Sequence, residues 1–291
     1  MVVTCTDRKV AAPLDALRVR SLPASEPGQR AAAWVSRLAA STERIPLERL
    51  YQGDHWTKAM GLSSAAERAG FSPQLWVASA GLGLRPVSDS APPYAATFSP
   101  RHADTVASSS AGTQEWWAYL QGRVGSTTLD RLGAAGPVLL VLSEVYAHAL
   151  GSEIKSLADQ GGDVLMVGGA EDLEGVHRLP ANAALRQPLG GTLTSLNART
   201  AAAWLERCSD GNLLAVETQR TWEKWTQSSA QPERFTRKPL SDEQVVGFIR
   251  TQLLLTPDYS RTKLLRLLRD SGMACEQRRF ANLHAQTLGD R

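Results

Sequence analysis

Short apolar runs alternate with longer amphipathic stretches through the first two thirds of the chain. The runs have the length and apolar content of buried strands, and the predicted strands are residues 2–4, 74–80, 137–142 and 164–167. The stretches carry apolar residues at helical spacing, and the main predicted helices are residues 29–40, 54–69, 146–160 and 197–208. Strands that alternate with helices in this way predict an α/β three-layer sandwich with a mostly parallel central sheet.

The pattern changes after Glu217. Residues 226–238 are polar and lack periodicity, which predicts a linker between an α/β domain over residues 1–225 and a small all-helical domain over residues 239–291. The helical stretches of the second domain are residues 242–254, 260–271 and 275–288. Gly272 lies in the turn between the last two, so these short helices predict a helix-turn-helix-like DNA-binding domain.

Composition narrows the classes of protein that fit. The 291 residues are 43% hydrophobic and 21% charged, which is ordinary for a soluble globular protein, and no apolar run is long enough to span a bilayer. The N-terminal residues lack the basic and apolar regions of a secretion signal, and the three cysteines lie too far apart in sequence to indicate a disulfide framework. We therefore expect a cytoplasmic monomer without membrane contact. No Cys or His spacing typical of a metal site occurs.

The positive charge is concentrated near the C-terminus. Residues 232–291 contain 11 basic and 7 acidic residues, whereas the rest of the chain contains 21 and 22. Basic residues on a predicted helix alternate with leucines that can pack inward, and the candidate DNA contacts are Arg261, Lys263, Arg266 and Arg269. A solvated helical face would show the same pattern. The expected partner is double-stranded DNA.

Polar side chains follow the ends of the predicted strands, where open α/β sheets bind ligands. After the first strand, Asp7 is a candidate base that orients a water or stabilises a developing cation, and Arg8 or Lys9 is a candidate anion holder. Cys5 is expected to be a small packing residue rather than a nucleophile. Ser143 and Tyr146 follow the third strand in the same way, although Ser143 could instead cap the next helix. A solvated turn is the alternative interpretation of the Asp7 segment.

Three further segments combine groups suited to nucleotides. Aromatic side chains at the start of a predicted helix are candidates to stack on a base, while Asp54 beside them could simply cap that helix. His102 in a polar loop is a candidate acid or anion stabiliser. A glycine pair with a hydroxyl could present backbone N–H groups to phosphate, although such pairs are common in plain turns. The residues of these segments are Tyr51, His55, Trp56, Tyr94, His102, Gly190, Gly191 and Thr192.

The chain contains neither a Walker A motif nor a dinucleotide-binding glycine motif. These absences disfavour an ATPase and an ordinary nicotinamide-dependent enzyme. We expect no cofactor.

Taken in order, these segments resemble the uracil-DNA-glycosylase-like superfamily, as it occurs in archaeosine synthase and in small bacterial relatives of the peroxide-stress proteins. The shared motifs are a Cys-x3-Lys loop after the first strand, a Leu-Tyr-x-Gly-x-x-Trp helix start, and strands that end in Ser-Ala-x-x-Gly-Leu and Leu-Ser-x-x-Tyr. They begin at Cys5, Leu50, Ser79 and Leu142, and the resemblance covers roughly residues 2–208. The chain is also similar to anti-phage glycosylases that remove glucosylated hydroxymethylcytosine from phage DNA.

The resemblance implies a uracil-DNA-glycosylase-like fold with Asp7 in the position of the carboxylate that serves the hydrolytic water. It further implies a DNA glycosylase that flips a modified base and hydrolyses its N-glycosidic bond, leaving an abasic site, in anti-phage defence. Such hydrolysis needs no metal. Two alternatives stay open: a transferase that modifies a tRNA base, as archaeosine synthase does, and a non-catalytic DNA-binding protein that senses a nucleotide. Archaeosine synthase continues Lys-Pro-Tyr where this chain has Lys9-Val10-Ala11, and the helical C-terminus favours DNA over tRNA.

Overall fold

The computed structural model of the protein describes residues 1–123, 127–229 and 238–289. The chain divides into two compact units, Met1–Pro232 and Glu233–Arg291. Within the described residues, no helix combines the length and the apolar character that crossing a membrane requires.

A mixed six-stranded sheet forms the centre of the first unit. Its strands are β1 (Val2–Thr4), β2 (Trp76–Ser79), β3 (Gly83–Pro86), β4 (Val138–Leu142), β5 (Val164–Gly168) and β6 (His177–Leu179). They lie in the order β3-β2-β1-β4-β5-β6, and neighbours are parallel except for β2 and β3. β1 is therefore central, with Val3 paired to both Val77 and Val141.

Helices cover both sides of this sheet, which makes the first unit an α/β sandwich. They are α1 (Pro27–Ala40), α2 (Leu47–Leu50), α3 (Asp54–Met60), α4 (Leu62–Arg68), α5 (Ser110–Arg123), α6 (Leu129–Ala135), α7 (Glu144–Ala149), α8 (Gly151–Asp159), α9 (Arg186–Leu189), α10 (Leu196–Leu205) and α11 (Val216–Ser229). A separate antiparallel ladder joins Ile45–Pro46 to Ser90–Ala91.

The four predicted strands are present as β1, β2, β4 and β5. Every residue of β4 and β5 is buried, because parallel strands with helices on both faces have no solvent side. β3, over Gly83–Pro86, is a strand that the sequence prediction lacks. Gly83 has a φ of +74°, and the chain reverses there and returns beside β2. β6 is absent from the sequence prediction because Leu179 is its one buried residue, so its pattern is weak.

Two predicted helices are each divided in two. Residues 54–69 form α3 and α4 on either side of Gly61, and the expected helix over residues 146–160 is α7 followed by α8, which begins at Gly151. Glycine is among the poorest helix formers, so a long helix is interrupted most easily where it occurs. The first of these helices, α3, carries residues of the cleft described below.

Two buried tryptophans fix the loop that follows β2. The indole N–H of Trp34 on α1 donates to the carbonyl of Gly81 at 2.7 Å, and that of Trp116 on α5 donates to the carbonyl of Ala80 at 2.8 Å. Trp34 lies on the buried stripe of α1 together with Ala31 and Leu38, at helical spacing. Helices on the sheet thus hold the backbone at the end of a central strand in one position.

The polar segment predicted as a linker is partly helical. α11 continues to Ser229, so the first residues of the predicted span 226–238 belong to a helix. Its buried Trp222 packs 5.6 Å from the ring of Trp204, and this contact stabilises a helix that its polar sequence does not suggest. Residues 230–237 lie outside the described residues.

The second unit contains the three predicted C-terminal helices. They are α12 (Asp242–Leu255), α13 (Arg261–Asp270) and α14 (Gln277–Gly289). Ser241 and Gln244 form a capping box at the start of α12, and Ser260 caps α13. The hydrophobic core of this unit consists of Val245, Ile249, Leu253, Leu264, Leu265, Leu268, Cys275, Phe280 and Leu283. A two-residue parallel ladder joins β7 (Lys238–Pro239) to β8 (Met273–Ala274), the latter in the predicted turn.

A substitution at Gly168, at the end of β5, would test how tightly the strand ends are packed. Its φ is +97°, and a Cβ there would overlap the carbonyl oxygen of Leu142 and the side-chain amide of Asn197. We expect Gly168→Ala to lower the free energy of unfolding in urea by about 2 kcal/mol or more. Gly136→Ala is the matched control, because Gly136 also has a positive φ but has nothing within 4 Å of the added Cβ. Equal losses in the two variants would contradict the packing argument.

Candidate active site

A cleft of about 710 Å³ opens at the carboxyl edge of the sheet. Segments that follow β1, β4 and β5 line it, together with the start of α3 and residues 192–197. Open α/β sheets bind ligands at this edge. The cleft brings together seven residues that the sequence singled out: Cys5, Asp7, Arg8, His55, Ser143, Tyr146 and Thr192.

The loop after β1 is tied to the segment before α3. The Thr6 hydroxyl lies 2.9 Å from the carbonyl of Arg8 and 3.1 Å from that of Gln52, and the amide of Gln52 donates to the carbonyl of Arg8 at 3.0 Å. The amide of Val10 donates to the carbonyl of Leu50 at 2.9 Å. These bonds leave the side chains of Asp7 and Arg8 exposed at the cleft.

Asp7 faces His102 across 3.8 Å, from carboxylate Oδ2 to ring Nε2. The other ring nitrogen, Nδ1, accepts the backbone N–H of Asp104 at 3.1 Å, which assigns the proton of the neutral ring to Nε2. Asp104 is buried and forms a two-pronged ion pair with Arg20, with distances of 2.7 Å and 3.0 Å. His102 therefore has a fixed orientation, with an N–H directed towards the carboxylate.

Lys9 lies beneath this loop rather than on the cleft wall. Its ammonium is 4.4 Å from the ring centroid of Tyr94 and 5.5 Å from that of Tyr51, and it donates to the carbonyls of Thr6 and Asp7 at 3.2 Å and 3.3 Å. Desolvation lowers the pKa of Lys9 from its usual value. The structure therefore corrects the expectation that Lys9 holds an anion in the cleft. The Lys9 ammonium instead binds backbone carbonyl oxygens of the loop.

The tyrosines around Lys9 form a buried hydroxyl chain. The Tyr94 hydroxyl is 2.6 Å from the Tyr51 hydroxyl and 2.5 Å from Ser79 Oγ, which accepts the amides of Gly81 and Leu82. Burial raises the pKa of Tyr51 and Tyr94 well above the usual value. The two tyrosine rings therefore pack beneath the loop and have a structural role.

Cys5 and Tyr146 form part of the cleft wall. The Cys5 thiol is 3.1 Å from the Tyr146 hydroxyl, which also accepts the amide of Ala80 at 3.3 Å. The Phe98 ring packs edge-on against Tyr146 at 4.9 Å, and burial raises the pKa of Tyr146 well above its usual value. Ser143 precedes α7 at its N-cap position, yet among the described residues its side chain makes no capping hydrogen bond.

Trp56, a candidate from the sequence to stack on a base, is buried and does not face the cleft. Its side chain is 3% exposed, and its indole N–H donates to the carbonyl of Glu48 at 3.0 Å. Successive helical residues differ by about 100° in direction, so His55 faces the cleft while Trp56 turns into the core, against Tyr51. His55 Nε2 contacts the carbonyl of Thr4 at 2.9 Å, and desolvation lowers its pKa. Of the four aromatic residues proposed from the sequence, Tyr146 is the one on the cleft wall.

An ion pair that the sequence does not reveal lies at the rim of the cleft where α3 begins. Asp54 accepts Arg199 at 3.0 Å and the hydroxyl of Thr192 at 3.1 Å, and Arg199 also donates to Ser195 Oγ at 3.0 Å. Hydrogen bonds from Ser195 and Thr192 and the positive charge of Arg199 lower the pKa of Asp54 to about 2. Burial acts in the opposite direction, and the lowering effects together exceed it. Asp54 is thus not the helix cap considered from the sequence. Its partner Arg199 lies 145 residues away, so no local pattern could have indicated the pair.

The predicted glycine pair supports this rim. A Cβ at Gly191, whose φ is +77°, would overlap the Arg199 guanidinium, whereas a Cβ at Gly190 would meet nothing within 4 Å. Thr192 lines the cleft, and the two glycines do not. Gly191 therefore makes room for the Arg199 side chain, and Gly190 does not contact it.

The basic residues of α13 belong to the second unit. Arg261, Lys263 and Arg266 are exposed, and Leu264, Leu265 and Leu268 are buried. Arg269 is half-buried and donates to the carbonyl of Cys275 at 3.4 Å. Three of the four predicted DNA contacts are thus available to solvent on one helix.

In the part of the chain that the structure describes, no group of three His, Cys, Asp or Glu side chains is arranged to hold a metal ion. Comparison with family models, with curated proteins and with solved structures finds no match. The fold and the site define an α/β protein with a polar cleft at the carboxyl edge of its sheet. The relation to uracil-DNA-glycosylase-like proteins stays a prediction carried by the sequence motifs.

The rim ion pair predicts an acid-dependent stability. Because the pKa of Asp54 is lowered from 3.8 to about 2, its carboxylate stabilises the fold above about pH 4, and this contribution is lost as the pH falls towards 2. Asp54→Asn should therefore be less stable than the parent at pH 6, and the difference should shrink steadily between pH 4 and pH 3. Urea unfolding across this range measures the difference. Asp163→Asn, at an exposed position, is the control, and a pH-independent difference for Asp54→Asn would refute the assignment.

Proposed function

We propose that the protein is a DNA glycosylase that hydrolyses the N-glycosidic bond of a modified base and leaves an abasic site. The observation that carries the proposal is the exposed Asp7 carboxylate at the end of the central strand, facing the Nε2–H of His102 at 3.8 Å. The sequence resemblance suggests phage DNA as the substrate and a glucosylated hydroxymethylcytosine as one candidate base.

The pair supplies the groups that this reaction uses. Cleavage of the C1′–N bond passes through an oxocarbenium-like state, which a nearby carboxylate stabilises. Water then forms the new C1′–O bond and transfers a proton to Asp7. The base leaves with the electrons of the broken bond as an anion, which the His102 Nε2–H can stabilise by donating a hydrogen bond; the anion then takes up a proton from solvent, to which Asp7 returns the proton of the water. Asp104 and Arg20 keep that N–H directed at the site.

The cleft suits a flipped base with a polar substituent. Its volume of about 710 Å³ falls within the range of small-molecule sites, and base-processing enzymes extrude their target into such a pocket. Hydroxyl and amide side chains that line it can exchange hydrogen bonds with a substituted base: Thr6, Gln52, Thr97, Ser99, Ser143 and Asn197. Arg8, exposed at the same cleft, is a candidate contact to a flanking phosphate.

The tRNA-transferase alternative has less support, because Lys9 donates to backbone carbonyls beneath the loop and is not on the cleft wall. A non-catalytic nucleotide sensor would use the same cleft without turnover. The Asp7 variant below separates that sensor from an enzyme.

Asp7→Asn keeps the shape of the side chain and removes its charge. Since the side chain is exposed, the fold should survive, while base release should fall by about 10²–10⁴-fold. The measurement is the formation of alkali-labile sites in duplex oligonucleotides with and without glucosylated hydroxymethylcytosine. Asp163→Asn is the control and should retain the parent rate. A parent protein that releases no base from either duplex would overturn the proposal, and an active Asp7→Asn would overturn the role of Asp7.

The exposed cations of α13 predict a salt-dependent interaction with DNA. Replacing Arg261, Lys263 and Arg266 with Gln should weaken duplex binding and flatten the log–log salt dependence by about 0.9 for each phosphate that the helix no longer neutralises. Leucines elsewhere on α13 form its packed side, so the melting temperature should change little. The matched control replaces Arg131, Lys155 and Lys224, which are exposed on the first unit. Titrations at two salt concentrations that give the parent slope for the α13 variant would remove this helix from the interface.

A further inference from the structure

The Lys9 ammonium lies beneath the loop that borders the cleft and is not part of the cleft wall. Its ammonium stands over the faces of Tyr94 and Tyr51 and donates to the carbonyl oxygens of Thr6 and Asp7. Removing an ammonium group from water is costly unless ring faces and carbonyl dipoles replace its hydration. Desolvation accordingly lowers the pKa of Lys9.

The carbonyl of Asp7 is the feature that links Lys9 to the chemistry. The loop from residue 5 to residue 9 is tied at both ends, by the Cys5 amide on Ala78 at 3.0 Å and by the pairing of Lys9 with Tyr51. Between these ends, the ammonium donates to the carbonyl oxygens of Thr6 and Asp7, while the Asp7 side chain is exposed at the cleft.

We propose that Lys9 is a positioning residue, whose ammonium, seated on Tyr94 and bound to the Asp7 carbonyl, sets the position of the Asp7 carboxylate in the cleft. This inference rests on the proposed function for its catalytic consequence. It does not require Lys9 to touch the substrate. His102 Nε2 lies 3.8 Å from the same carboxylate, so Asp7 has one neighbour at its backbone carbonyl and another at its side chain.

If Lys9 positions the loop in this way, its positive charge and its N–H donors are both required. A neutral side chain of similar length, as in Lys9→Met, fills the space but cannot donate to the carbonyls. Lys9→Arg keeps a cation over the rings and retains N–H donors. Lys58→Met is the matched control, because Lys58 is exposed on α3 outside the loop.

The test is a double-mutant cycle between Lys9 and Asp7, measured as base release from modified duplex DNA. Lys9→Met should lower kcat by about 10²-fold, the effect expected when a catalytic group is displaced by about 1 Å, while KM changes little. Lys9→Arg should recover most of this loss, and Lys58→Met should behave as the parent. In an Asp7→Asn background, Lys9→Met should cost almost nothing further, because the group that it positions is already disabled. Multiplicative losses, or full kcat in Lys9→Met, would overturn the proposal.

A second measurement does not depend on activity. The amides of Val10 and Gln52 bridge the loop to the neighbouring segment, so their hydrogen exchange reports whether the loop keeps its place. Lys9→Met should speed exchange at both amides by about tenfold or more, with β4 and β5 unchanged, and Lys9→Arg should not. If the parent releases no base but these amides respond, the glycosylase proposal fails and the structural role of Lys9 stands. Unchanged exchange in folded Lys9→Met would overturn that role, and Lys9→Gln replaces Lys9→Met if the latter does not fold.

Discussion

The pairing of β1 with a strand on each side is the constraint on which the cleft depends. Val3 is matched to Val77 and to Val141, and none of β1 reaches an edge of the sheet. A parallel strand advances about 3.3 Å per residue, so a register slip of one residue would carry the following loop across much of the site. The apolar side chains of β1 are buried, which makes such a slip costly. A strand of three residues thereby fixes the position of the loop that directly follows it.

Charge near the cleft is arranged in two ways. Asp54 and Arg199 neutralise each other on one rim, and Lys9 is compensated beneath the other by rings and carbonyls. Asp7 and Arg8 are left exposed between these regions. The charges that hold the rims are thus separated from the charges available to a ligand. A ligand can therefore reach the exposed charges without altering the interactions that maintain the fold around them.

Much of this architecture is visible in the sequence, for reasons that also explain the failures. Fully apolar runs identify β4 and β5, and the rule that ligands bind at strand ends points to Asp7, Ser143 and Tyr146. The prediction for Trp56 fails because one helical position decides whether a side chain faces a cleft or the core, and a short motif does not set that angle. Arg199 escapes prediction because its partner is distant in sequence, and β6 because a single buried residue forms no pattern. Interactions that depend on tertiary contact are the ones that local periodicity cannot report.

The tyrosines beneath and beside the cleft have a consequence for optical work on this protein. Tyr51, Tyr94 and Tyr146 are buried, and their pKa values are raised well above the usual value for a phenol. Their hydroxyls therefore lose protons to alkaline solvent more readily once the packing around them opens. The phenolate absorbance of these three rings therefore reports that opening, and the measurement needs no added label.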